Sequence, residues 1–141
     1  MTDHIYDTDN IFAKILRGEI PSTKIYEDNK TFALMDIMPR CDGHCLVLPK
    51  APARNIFDID PADLASVMET TQLLSRAVMK AMNADGITIK QSNELAGDQV
   101  VFHLHVHIVP RYNGVRMPPY TGKMEEPDVL EANAAKIRAA L

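Results

Sequence analysis

Cysteine is scarce in this chain, acidic residues outnumber basic ones, and no long apolar run occurs. Two cysteines, Cys41 and Cys45, are too few for a disulfide framework and fit a reducing compartment. With His44 they invite a zinc reading, but three residues separate the cysteines where the usual spacing has two. Two buried free thiols at the start of a strand is the better account. A net charge of -4 and a pI near 5.7 exclude the basic stripe of a non-specific nucleic-acid binder. No segment approaches the roughly 20 apolar residues that span a bilayer, so no membrane partner is expected. The opening Met1–Asp7 stretch lacks a secretory pattern, which gives a cytoplasmic expectation. HExxH, internal repeats and low-complexity segments are also missing.

What is present is an ordinary globular composition, 46% hydrophobic and 24% charged over 141 residues, enough for one domain with a real core. Its most informative stretch is His103-Leu104-His105-Val106-His107-Ile108-Val109-Pro110. Period-two alternation predicts a strand with His103, His105 and His107 on one face, about 6–7 Å apart. Leu104, Val106 and Ile108 then face a core. A single histidine on a strand is usually decoration; three in strict alternation point to chemistry, because imidazole serves as acid, base, nucleophile or ligand near neutral pH.

Around that run the chain reads as follows. Residues 1–9 form a loose arm. Asp9 or Asn10 caps a short helix with an Ile11, Phe12, Ile15 and Leu16 stripe, stopped by Gly18 and Pro21. Phe12 and Ile15 read as core, with a ligand-pocket wall as the alternative. Thr23–Glu27 and Thr31–Met35 flank an Asp28-Asn29 turn, and His44–Pro49 is a third strand. Asp36, at a strand end, either caps a turn or holds a ligand. Asp60 caps the longest helix, Pro61 opens it, and Leu64, Val67, Met68, Thr71, Leu74, Val78 and Met82 make its stripe. Ile87–Asn93 is a strand joined tightly to the histidine strand, hence its antiparallel neighbour, which puts Asn93 and Gln99 near the histidine face. After Pro110 the chain is irregular, with Pro118, Pro119, Gly122 and Pro127, until Asp128 caps a last helix with a Leu130, Ala134, Ile137 and Leu141 stripe.

Three chemistries fit. A neutral imidazole attacks phosphorus once its other nitrogen donates to a fixed acceptor, with flanking imidazoles, Asn93 and Gln99 holding the phosphate oxygens. Two or three imidazoles bind a metal. Or the same groups hold a phosphate-bearing ligand without turnover.

The triad run resembles the signature of the histidine triad (HIT) superfamily. Ile11–Pro21, Asp36-Ile37, Gly43–Lys50 and the Asn93 to Gln99 stretch resemble further blocks of its Hint-like branch, in order. The resemblance implies an α+β fold, an antiparallel β-sheet with packed helices, extended across a homodimer, with 1–141 as a single domain and 113–141 as a C-terminal extension. It implies that His105 is the nucleophile forming a nucleotidyl-histidine intermediate, with His103, His107 and His44 beside it. Asn93 and Gln99 then contact phosphate or leaving group. Asp36 holds the ribose, and Phe12, Ile15 and Leu34 line a base pocket. The implied activity is purine-nucleotide hydrolysis or transfer at the α-phosphate, nucleoside phosphoramidates first, with dinucleoside polyphosphates or a regulatory nucleotide-binding role as alternatives. No cofactor is implied. Many bacterial relatives carry structural zinc on a CxxC pair and a histidine, where this chain has Asn10, Ala13 and Pro52, so no metal is expected. Val100 replaces the family's usual proton-donating Ser or Thr.

Overall fold

Side-chain alternation on the central strands decides the architecture, described for residues 4–141 from a computed structural model. The elements run α1 (Ile11–Leu16), β1 (Lys24–Glu27), β2 (Thr31–Met35), β3 (Cys45–Pro49), α2 (Pro61–Ala81), β4 (Gly86–Lys90), a 3-10 turn (Leu95–Gly97), β5 (Val106–Arg111) and α3 (Pro127–Ala139). The strands form one sheet in the order β1-β2-β3-β5-β4, every neighbouring pair antiparallel. Ala33, Met35, Cys45, Val47, Val106 and Ile108 point to the face covered by α2 and α3. Phe32, Leu34, Leu46 and Leu48 point the other way and cluster with Phe12 of α1. Every residue of β2 and β3 is therefore buried, whereas β4 is a part-exposed edge strand. Sealing a side chain such as Leu48 or Ile108 stabilises the fold by roughly 1.5–3 kcal/mol.

The helix starts follow their capping chemistry. Asn10 accepts from the Ala13 amide at the head of α1, and Asp60 accepts from Ala62 ahead of Pro61 in α2. At the last helix the expectation fails. The cap is Glu126, without a side-chain bond, and Asp128 sits inside the first turn. Leu141 lies beyond that helix and is exposed, as is Met68 on the outer side of α2. Cys45 is buried as expected, but Cys41 is only half-buried; both are free thiols.

The largest departure concerns the histidine run. β5 begins at Val106, so His107 alone of the three sits in the ladder. β3 pairs with β5 only as far as Val47, and β4 ends at Lys90 opposite His107, which leaves residues 103–105 without ladder pairing to either neighbouring strand. The Leu104 amide bonds the Ala53 carbonyl instead. Alternation survives without the ladder: Leu104, Val106 and Ile108 are all buried in the α2 face. Likewise the strand expected over Ile87–Asn93 ends at Lys90.

Gly43, in the turn before β3, has φ +91°, and a Cβ there would stand 2.6 Å from Met82 Cγ. Left-handed backbone favours glycine. Gly43→Ala should destabilise the protein by about 1–3 kcal/mol in urea titration; an unchanged midpoint would contradict the constraint.

Candidate active site

The acceptors around the four histidines fix where each ring proton sits. The Pro49 carbonyl can only accept, so His103 Nε2–H donates to it at 2.8 Å, and His103 Nδ1 accepts from the Tyr6 hydroxyl. The His103 carbonyl likewise accepts from His105 Nδ1–H at 2.7 Å. His105 Nε2 is thereby left bare of a proton, with its lone pair free. On the other side, the Arg40 backbone amide donates to His44 Nδ1 at 3.0 Å. His44 must then carry its proton on Nε2 and donate it to His107 Nδ1 at 2.9 Å. His107 consequently holds its proton on Nε2. The result is one imidazole with an exposed lone pair beside one with an exposed N–H, their ring centroids 5.0 Å apart. Neither nitrogen has a protein partner among the described residues, and neither is sealed from solvent.

Burial keeps the rings neutral. Loss of hydration pushes His103 down to about 4 and, helped by the neighbouring imidazoles, His107 down to about 3. The same cause lowers His105 and His44 below the ordinary histidine value. Phe12 packs its ring against His105 with centroids 4.9 Å apart and their planes at 75°, closing one side of that imidazole.

The other sequence-predicted residues divide. Asp36 belongs to the cluster: one oxygen accepts from the Met38 amide, and the other lies 3.4 Å from His44 Nε2 and 3.8 Å from His107 Nδ1. Leu34 and Leu46 lie in register with His107 across the sheet. They form the apolar floor with Phe12, and Ile15 packs at its rim. Gln99 is buried and fully used: it donates to the Arg54 and Val101 carbonyls and accepts from Asn55 Nδ2 and the Glu94 amide. It braces the loop rather than offering a phosphate contact. Asn93 is also engaged, accepting from the Ile56 amide and exchanging bonds with Gln91. Val100 is exposed and carries no donor.

Sequence reasoning missed the groups that orient these residues. Arg40 acts through its backbone N–H, which no residue type advertises. Arg54 clamps Glu94 with two 2.8 Å bonds and lies over the Phe102 ring at 4.0 Å, fixing the loop that leads into the triad. The Arg54 guanidinium holds the Glu94 carboxyl at about 2.

Asp36, His44 and His107 also form a compact triangle of possible metal ligands. The Arg40 amide opposes that use, because it keeps the proton on the His44 nitrogen that faces the triangle. The structural zinc of bacterial relatives does not fit either. Asn10 Oδ1 caps α1, and Ala13 and Pro52 have no donor atoms.

The chain belongs to the HIT family: the HIT domain model matches residues 17–114. It is similar to a solved Hit-like protein of Bartonella henselae described as involved in cell-cycle regulation, at 49% identity and TM-score 0.92, over 97% of this chain and 100% of that one. The adenosine 5'-monophosphoramidase hnt1 of Schizosaccharomyces pombe is 34% identical over 91% of this chain and 98% of its own length. The adenylylsulfatase HINT3 of Arabidopsis thaliana is 37% identical over 73% of this chain, which spans 52% of that protein. Relatives with these activities support nucleotide hydrolase chemistry for the family site.

The neutral rings carry a pH signature. Between about 6.5 and about 4 the unfolded chain takes up imidazole protons that folded His103 and His107 refuse, so stability falls as pH falls through that window. Thermal melts should drop progressively from pH 7 to pH 4.5, and His107→Asn should flatten the slope by about one proton. Melting temperatures that are level across the window would contradict buried neutral imidazoles.

Proposed function

We propose that this protein hydrolyses or transfers purine nucleotides at the α-phosphate, with nucleoside phosphoramidates as its first substrate class. The observation that carries the reading is the bare His105 Nε2, held by Nδ1–H donation to the His103 carbonyl. In the first step that lone pair attacks phosphorus, the Nε2–P bond forms and the phosphorus–leaving-group bond breaks. In the second, water oxygen bonds phosphorus, the Nε2–P bond breaks with its electron pair returning to Nε2, and the water proton passes to solvent. His107 Nε2–H stabilises the charge gathering on the phosphate oxygens. Asp36 holds the ribose hydroxyls, and the purine lies against Phe12, Ile15 and Leu34.

Splitting the reaction into two in-line displacements asks for positioning and charge stabilisation rather than a resident metal. A primary amine or ammonia leaving from phosphorus must collect a proton, and Val100 supplies none. That favours slow turnover, and it keeps dinucleoside polyphosphates, or regulatory nucleotide binding, as the second reading. The exposed β4 edge is where a second copy would add its own strand and extend the sheet. No described helix is long and apolar enough to cross a membrane. The site chemistry and the two free thiols suit the cytoplasm.

Mass spectrometry after brief incubation with adenosine phosphoramidate, quenched cold, should find an AMP adduct on the peptide containing His105. His105→Ala should lose the adduct and at least about a thousand-fold in kcat while still binding AMP. Nucleotide binding with neither adduct nor AMP release in the wild type would favour the binding-protein reading.

A further inference from the structure

Among the described residues of the N-terminal arm ahead of α1, Tyr6 is tied into the site. The Tyr6 hydroxyl lies 2.5 Å from His103 Nδ1, and its ring meets the imidazole edge-on with centroids 5.7 Å apart. Because the Pro49 carbonyl claims the proton on His103 Nε2, Nδ1 has only a lone pair to offer and the phenol must donate. His103 is fully buried, so both ends of its ring are pinned by hydrogen bonds made without water. Phe12 closes on the same ring at right angles with centroids 6.5 Å apart. The main chain of this residue supplies the carbonyl that sets the His105 tautomer.

We propose that Tyr6 is a positioning residue for the reaction, a latch whose hydroxyl locks the His103 ring and thereby aims the His103 carbonyl at His105 Nδ1. The inference rests on the functional reading above. Burial raises the Tyr6 phenol above its ordinary value, so it stays a donor through the neutral range. Removing the hydroxyl leaves a buried acceptor unpaired at His103 and lets the ring and its carbonyl turn. The Tyr6 hydroxyl is committed to His103 Nδ1, so the loss should fall on the chemical step.

Tyr6→Phe keeps the edge-on packing and removes only the donor. With adenosine phosphoramidate its kcat should fall about five- to fifty-fold while KM stays within about two-fold. His4→Ala is the control for tethering alone, since it cuts another of the arm's contacts, His4 to Glu94 at 3.4 Å; its kcat should match the wild type. Turnover by Tyr6→Phe within two-fold of wild type, or equal losses in both variants, would overturn the latch while leaving the functional reading intact. No turnover by the wild type itself would overturn both. Should Tyr6→Phe fail to fold, proton NMR of the wild type decides. A slowly exchanging hydroxyl proton correlated with His103 Nδ1 supports the latch, and a His103 Nδ1 without that partner overturns it.

Discussion

The site depends on one short bond, from His105 Nδ1–H to the carbonyl of His103 two residues earlier. A neutral imidazole has a single ring proton, so committing it to the main chain empties the opposite nitrogen. Everything nearby preserves that commitment. The His103 ring is anchored at Pro49 and at Tyr6, which holds the carbonyl still. Phe12 packs edge-on against the His105 ring. A tautomer worth little in free solution becomes the resting state because its alternatives leave buried acceptors unpaired.

A second relay runs in the opposite sense. It starts at the Arg40 amide, passes through His44 and ends with a proton on His107 Nε2. The two relays give neighbouring imidazoles opposite characters, a bare lone pair beside a hydrogen-bond donor, without any formal charge. Burial maintains this, since hydration of an imidazolium is lost inside the fold. In the proposed reaction the cluster stays neutral until a phosphate arrives, and its N–H dipole then faces the charge that develops. The apolar α1 face and the floor of Leu34 and Leu46 are therefore electrostatic components of the site as well as packing.

Much of this was legible in the residues. Alternation placed Leu104, Val106 and Ile108 in the core, and capping chemistry located α1 and α2. The antiparallel β4–β5 pair forms as expected although residues 91–105 separate the two strands, and the strands around Asp28-Asn29 were readable from turn residues. The strand boundary at Val106 was not, because it depends on where the partner strands stop. Gln99 looked like a phosphate ligand, yet its four bonds tie the Glu94 loop to the main chain. Polar side chains that brace a loop and those that hold a ligand look alike until their partners are known. The Arg40 contribution had no signal at all, being a peptide N–H. Tyr6 was hidden for a different reason: it lies in a stretch without periodicity, far in sequence from the ring it touches.

The central claim is a statement about proton positions, so the decisive measurement is nitrogen NMR of the histidine rings in the resting protein at neutral pH. The account predicts four neutral rings, with His105 protonated at Nδ1 and His44, His103 and His107 protonated at Nε2. His105 found as the Nε2–H tautomer, or as an imidazolium, would contradict it, because the nitrogen assigned to attack phosphorus would then carry a proton.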